Sequence, residues 1–499
     1  MRQIPPLKRV FLPVISIVAG LFFPLGFAPF EYFLVGPLTT GVLFFLWSSA
    51  SARASAMFGL YFGLGAFVIG VSWVFVSLHD YGNMPIFLAV LVVAVFVFVM
   101  ALYIAICGLV QSVFHCLSRE LRMLVVMPVF WVLLEWLRSQ LFGGFPWLLL
   151  GYSQIETIIG SWAPISGVFS VSLVSALSGS AVILILVGRL RERIVALATL
   201  ILVFASGMLI KDAVFVVPEG EPIKIAVIQN NISLAEKWNP NEVENIVSSY
   251  LVNSADEINA DLIIWPESAM PVYFDQISTI VLRQLLEHPS DYLFGVLERT
   301  TGSTKKYFNS AVGVSDNFAF YRKRQLVMFG EYLPMPFLFG WILDYLNIPM
   351  SSFSSWSAGQ LPMRLAGHNI GVTICYEDAF QHQFMSMLPE STILANISED
   401  GWFGDSFAPW QRLQIARMRA LEARRPLIRS SNNGLSAVIN HLGQVTAIAP
   451  MFKAEVLRAE VQPMTGATPF VRNGNLPLFL VLGFALAGCL GLLWAGRAK

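Results

Sequence analysis

Apolar runs long enough to cross a bilayer recur along this chain and are interrupted once, by a single long stretch suited to water. A helical span needs about 20 predominantly apolar residues. Eight runs are read as spans, at about 10–27, 33–50, 56–77, 86–111, 121–138, 164–187, 194–211 and 476–496. Between the seventh and eighth lie about 260 residues, enough for a domain of their own. That stretch holds 25 of the 32 acidic side chains. Only 13% of the chain is charged, about half the usual fraction for a soluble domain. The expected organisation is therefore an α-helical membrane domain at 1–212, an extramembrane domain at 213–474 and a final span at 475–499. The first run is read as a span and not as a cleaved signal peptide, because no small-residue cleavage site follows it and further spans do.

Lysine and arginine in the short connections set the orientation. One set carries Arg2, Lys8 and Arg9, then Arg53, Arg119 and Arg122, Arg189, Arg191 and Arg193, and finally Arg497 and Lys499. The alternate connections carry almost none. Both ends are expected in the cytoplasm and the large domain on the opposite face, which is the periplasm in a cell with two membranes. Formal net charge is zero, so no basic field points to nucleic acid. Glu135 and Arg138 lie near the outer end of the fifth span, where charge marks either function or snorkelling to headgroups.

Cys107, Cys116 and Cys489 lie in or beside apolar spans and read as small hydrophobes. No Cys/His spacing fits a metal site, and no cofactor is indicated. Cys375 differs, being the only cysteine in the hydrophilic domain. It closes the strand-like run 369–374 and precedes Tyr376-Glu377-Asp378. A thiol at a strand end beside carboxylates is placed for chemistry. Glu267 and Lys323 end similar runs. Further strands are expected at 223–229, 261–265, 292–297, 309–314, 392–397, 426–431 and 434–440, with helices at 242–258 and 410–423. That mixture predicts an α/β sandwich, with sheets inside and helices outside. Catalytic residues in such domains gather where strands end.

The runs Trp265-Pro266-Glu267-Ser268, 321–331 (YRKRQLVMFGE) and Ile374-Cys375-Tyr376-Glu377 resemble the three signature segments of the nitrilase (carbon–nitrogen hydrolase) superfamily. With the spans, the chain resembles the membrane-embedded apolipoprotein N-acyltransferase family of that superfamily. The likeness extends to Phe27-Ala28-Pro29-Phe30, Gly144-Phe145-Pro146-Trp147, Trp402-Phe403-Gly404 and Ser431-Asn432-Asn433-Gly434. It implies a nitrilase-like αββα sandwich and a catalytic triad of Glu267, Lys323 and Cys375. Trp238, Glu331, Tyr376 and Glu377 fall at supporting or substrate-binding positions. The implied reaction moves a fatty acyl chain from a membrane phospholipid, preferably phosphatidylethanolamine, to the cysteine thiol. The acyl chain then passes to the N-terminal amine of a diacylglyceryl-modified apolipoprotein. Two residues depart from the family pattern: Glu399 where asparagine is usual, and Met328 where proline is usual.

In this scheme Glu267 is the general base, its pKa expected to be raised by burial. Lys323 favours the thiolate and the oxyanion, with a backbone N–H near Tyr376. Glu399 is expected to raise the pKa of the thiol. The apolar segment 337–346 and the aromatic group Trp402, Phe403, Phe407 and Trp410 are expected to admit lipid and exclude water. The run 417–422 (RMRALE) also belongs to the likeness, with surface charge the alternative for Arg417 and Arg419, since residues two apart do not share a helix face. The alternatives are a membrane-anchored amidase and a non-catalytic lipoprotein-binding protein.

Overall fold

A computed structural model describes residues 6–300, 305–333 and 353–497. They fall into two compact units: Met1–His79, Pro85–Ala213 and Asn473–Lys499 form one, Asp80–Met84 and Val214–Arg472 the other. The expected segment 337–346 lies outside the described residues.

The first unit is helical. Among the described residues five helices are long and apolar enough to cross a membrane: Ala52–Gly70, Ile86–Phe114, Ile158–Val187, Leu190–Lys211 and Leu476–Gly496. Helices at three further expected spans are shorter. Phe11–Gly26 ends in a tight turn with Pro24 in its first positions, Val35–Ser48 stops where Ser51 caps the next helix, and Met127–Gln140 follows a widened turn at Arg122–Val126. Close backbone approach binds the bundle together. A Cβ on Gly179 would stand 1.9 Å from the Pro37 carbonyl oxygen, so the helices meet only because that position has no side chain. Outward faces are apolar, as hydrocarbon contact requires: Phe87, Leu91, Val95 and Phe98 are all exposed.

Glu135 and Arg138 do not snorkel; both are buried. Glu135 accepts from the Trp131 indole at 2.9 Å and the Leu150 N–H at 2.8 Å, while Arg138 donates to the Trp147 carbonyl at 2.7 Å. Besides Trp131 of their own helix, their partners are backbone groups at 147 and 150, just before and at the start of the turn Leu150–Gln154.

The second unit contains two larger sheets. The first runs β14 (Glu455–Val461), β2 (Ile223–Gln229), β3 (Leu262–Ile264), β5 (Asp291–Arg299), β6 (Tyr307–Val314) and β7 (Phe318–Arg322), with β4 (Met270–Tyr273) also on β5. The second runs β13 (Val445–Ile448), β12 (Ala437–Ile439), β11 (Leu427–Ser431), β10 (Ile393–Ser398), β9 (His368–Ile374) and β8 (Met363–Leu365). A small pair joins β1 (Val216–Pro218) to β15 (Met464–Gly466).

Alternation decides what each strand buries. Ile225, Val227, Leu262 and Ile264 share one buried cluster with Ile370, Val372, Ile374 and Ile397 of the second sheet. Their neighbours Ala226, Ile228 and Ile263 point the other way, onto Ile246 and Tyr250 of helix Val243–Ala255 and Leu285 of helix Thr279–Glu287. Leu413, Ala416, Ala420 and Ala423 of helix Ala408–Ala423 join the cluster shared by the sheets. That helix is buried almost throughout, so Arg417 and Arg419 are core residues and not surface charge. Arg417 donates to the Gly443 carbonyl at 2.9 Å, and Arg419 pairs with Glu422 at 3.2 Å.

Strand direction places the site. β9, β10 and β11 are parallel, so the residues after Ile374, Ser398 and Ser431 gather at one edge. In the first sheet β3 and β5 are parallel, and two antiparallel steps through β6 return β7 to the same direction. Glu267 and Lys323 therefore follow strands that end at a common edge, where rigid backbone leaves side chains free to converge.

Candidate active site

Cys375 follows β9 directly and opens a short 3-10 turn, Cys375–Ala379. Its φ is +52°, in the left-handed region that a side chain disfavours. Such strain is kept where the surroundings enforce it. Here Glu377 enforces it. Its carboxylate accepts the Ile374 N–H at 2.8 Å, the Tyr321 hydroxyl at 3.0 Å, the Arg324 N–H at 2.7 Å and the Gln325 N–H at 3.0 Å. One buried side chain thus fixes the cysteine turn to the segment bearing Lys323. Burial raises the Glu377 pKa, and the three backbone donors pull against that rise.

Glu267, Lys323 and Cys375 come together. Lys323 is 1% exposed; its Nζ lies 3.3 Å from Glu267 Oε1 and 2.8 Å from Glu331 Oε1. Asn309 bridges the two carboxylates, donating to Glu267 at 2.7 Å and to Glu331 at 3.0 Å. The Glu399 backbone N–H donates to the other Glu267 oxygen at 2.9 Å, and the Cys375 thiol and the Glu267 carboxyl each shift the other's pKa. Glu331 also accepts from the Val327 N–H at 2.8 Å, anchoring its own loop.

The electrostatics differ from the sequence expectation. Burial does push Glu267 up, but Lys323, Asn309 and Lys237 outweigh it, and the carboxyl titrates below its ordinary range. Lys323 behaves conversely: burial lowers it, and Glu267 and Glu331 more than restore it, so its pKa rises. The Cys375 thiol is pushed up to about 11, first by burial and then by Glu267, against the pull of Arg412 and Lys323. The resting site therefore holds a carboxylate, an ammonium and a protonated thiol.

Glu399 has a different role from the one expected. It forms a short ion pair with Lys237, and both side chains are buried. Lys237 also donates to the Glu267 carbonyl at 2.8 Å. The Glu399 charge is thus matched by its own lysine, and the anions that push the thiol up are Glu267 and Glu331. Trp238 follows Lys237, and its indole N–H is buried with no hydrogen-bond partner among the described residues. Tyr376 packs edge-on against Phe380 at 5.0 Å. Met328 forms an isolated backbone bridge with Tyr332.

Asn309, Lys237 and Arg412 escape the sequence reading. Asn309 carries a faint signal, as the polar residue opening an expected strand, and Lys237 carries one as the neighbour of Trp238. Arg412 gives none beyond its place beside Trp410, because only the fold brings it to the thiol, 3.6 Å from Sγ.

A strand-end thiol, carboxylate and ammonium on paired sheets make this unit a nitrilase-type domain. The carbon–nitrogen hydrolase family model matches residues 224–470, and the model for the apolipoprotein N-acyltransferase N-terminal domain matches residues 19–181. Apolipoprotein N-acyltransferase from Methylococcus capsulatus is 38% identical over 97% of this chain and 96% of its own length. The Nitrosomonas europaea enzyme is 37% identical (95% and 96% covered), and that of Coxiella burnetii is 34% identical (94% and 99% covered). Among solved structures, a carbon–nitrogen hydrolase from Helicobacter pylori is 18% identical with a TM-score of 0.35, covering 48% of this chain and 89% of its own. An amidase from Nesterenkonia sp. is 13% identical with a TM-score of 0.37, covering 53% and 97%. The chain belongs to the apolipoprotein N-acyltransferase family.

Proposed function

We propose that this enzyme N-acylates apolipoproteins by a two-step transfer through a thioester on Cys375. In the first step Glu267 takes the thiol proton, and sulfur attacks an ester carbonyl of a phospholipid, with phosphatidylethanolamine the expected donor. The acyl C–O bond breaks, and Glu267 returns the proton to the lysophospholipid oxygen. In the second step the N-terminal amine of a diacylglyceryl-modified apolipoprotein attacks the thioester carbonyl. The C–S bond breaks, and the amine proton returns to sulfur by way of Glu267. Lys323 stabilises the developing oxyanion, while Glu331 and Asn309 hold Lys323 and Glu267 in register.

The observation that carries this reading is the meeting of Glu267, Lys323 and Cys375 in a chain that also has helices of membrane-crossing length. The eight-span plan, with both ends cytoplasmic and residues 213–474 periplasmic as an αββα sandwich, belongs to the same proposal. The expected lipid-admitting role of Trp402, Phe403, Phe407 and Trp410 belongs to it too. Trp402 and Phe403 lie between Gly401 and Gly404 in the chain, and Arg412, which reaches the Cys375 sulfur, lies over the Phe403 ring at 6.0 Å.

The test is intact mass after incubation with phospholipid, with Cys375→Ala as control. One fatty-acyl adduct on wild type only, removed by neutral hydroxylamine in one sample and, in a separate sample, by a diacylglyceryl-cysteine peptide that becomes N-acylated, is the expected result. No adduct with any phospholipid would overturn the thioester route.

A further inference from the structure

Arg412 is buried, 1% exposed, and touches the nucleophile. Its Nη1 lies 3.6 Å from Cys375 Sγ, 2.6 Å from Ser398 Oγ and 2.5 Å from Asp400 Oδ1. Its Nη2 lies 3.6 Å from Asp378 Oδ1 and makes no hydrogen bond among the described residues. A buried guanidinium is unfavourable unless it is paired, and here Asp378 and Asp400 pair it together with a second arginine. Arg429 meets Asp378 at 2.8 Å and Asp400 at 2.9 Å, and Ser431 adds a donor to Asp400 at 3.1 Å. Arg412 and Arg429 thus match the two carboxylates one for one, and Arg412 is the one of the two whose Nη1 also reaches sulfur.

The charges around the thiol explain the need for it. Those facing Cys375 are Glu267, Lys323, Glu331 and Arg412. Two carboxylates against the Lys323 ammonium leave an excess negative charge beside a sulfur that must itself become an anion. Lys323 is also held by both carboxylates, at 3.3 and 2.8 Å.

We infer that Arg412 is a fourth catalytic residue, whose guanidinium is the counter-cation of the Cys375 thiolate. When the S–H bond breaks, the proton passes to the Glu267 carboxylate and the electron pair stays on sulfur, facing Arg412. Asp378 and Asp400 hold the guanidinium in place. This rests on Cys375 being the nucleophile. Consistent with the geometry, Arg412 is the foremost charge drawing the thiol pKa down, ahead of Lys323.

The test is alkylation of Cys375 by iodoacetamide in the full-length protein in detergent. Samples receive brief pulses at each pH and are read by peptide mass, so that Cys116 does not interfere. R412Q is compared with wild type, with thermal unfolding as a check on folding. Removing one member of a buried pair threatens folding, so the double variant R412Q/D400N removes a cation and an anion together. Losing the Asp400 charge would by itself lower the thiol pKa, so a rise in the double variant belongs to Arg412.

The expected result in either variant is a midpoint at least one pH unit above wild type. Alkylation at neutral pH should fall at least tenfold, and the rates should converge once both thiols are ionised. R412K, a cation with fewer anchors, should lie between. An unchanged or lower midpoint in a folded variant overturns the inference. Because alkylation needs no acyl donor, that result is distinct from failure of wild type to form an acyl adduct, which would overturn the proposed function instead.

Discussion

Cys375 rests as a thiol beside an ionised Glu267, an arrangement that sets the sign of its pH response. Burial and the Glu267 charge lift the thiol to about 11, so the alkylation rate of wild type should climb steadily from pH 7 and level only near that value. Replacing Glu267 with glutamine removes the anion that lifts it. E267Q should therefore alkylate faster than wild type at pH 8 while forming acyl-enzyme far more slowly, two measurements moving in opposite directions on one variant. The same shift links to stability. A raised acid leaves folding unaffected below its ordinary value of 9.0 and weakens it as pH rises through the folded value of about 11, which melting curves between those limits will follow. The buried Lys237–Glu399 pair makes a separate prediction. Lys237→Met strands a carboxylate and takes a donor from the Glu267 carbonyl, at roughly 3–5 kcal/mol. Lys237→Met with Glu399→Leu should recover much of that loss, as read from thermal unfolding. Glu267 and Cys375 were legible as candidates at this scale because each follows an apolar strand-like run, whereas Lys323 follows Tyr321-Arg322 and was named through the resemblance of 321–331. The protonation state of the three was not legible, since the carboxylate and ammonium act on each other only across the folded site.

Two elements act as gauges for the site. β5 passes so close behind Glu267 that a Cβ on Gly295 would lie 2.2 Å from the Ser268 nitrogen and 2.7 Å from the Glu267 Cα. Gly295→Ala must push the strand and Glu267 apart. A displacement near 1 Å should cut acyl-enzyme formation about 100-fold, with Cys375 still open to alkylation. The turn opened by Cys375 and the segment after β7 share Glu377, whose two oxygens receive four donors. Glutamine offers one oxygen, so Glu377→Gln leaves buried donors facing an amide, at about 1–3 kcal/mol each. Its melting temperature and its acylation rate should fall together. Strands 223–229, 309–314 and 369–374 were legible from apolar runs and alternation. β7 was not, because Phe318-Ala319-Phe320-Tyr321-Arg322 is half-buried on both sides and ends in charge. The surface-charge alternative for Arg417 and Arg419 fails for a related reason: a two-residue offset excludes a shared face but not burial on a helix enclosed from all sides.

For the whole molecule, the arginine-bearing loops predict sidedness. Cys116 is exposed and lies beside Arg119, so a membrane-impermeant maleimide should reach it only from the cytoplasmic face, whereas a cysteine placed at exposed Asp256 should react only from the other. Labelling of both from one side would sink the topology. Long spans such as 86–111 were plain in the sequence from length and hydropathy. The shorter helices at 11–26, 35–48 and 127–140 were less so, because turns with proline and a widened helical turn cut apolar runs that a count alone would join. One feature of the catalytic unit reaches beyond its own energetics. Glu377 stitches the cysteine turn to the segment that bears Lys323, and Asn309 stitches Lys323's two carboxylates together, so Cys375, Lys323 and Glu267 are tied into one hydrogen-bonded set. Under the proposed reaction two bulky lipidated partners must visit one sulfur. Traffic at this enzyme would then be governed by vacancy: the second guest enters only when the first has left, and crowding by spent lysophospholipid, rather than the bond-making itself, would set the pace.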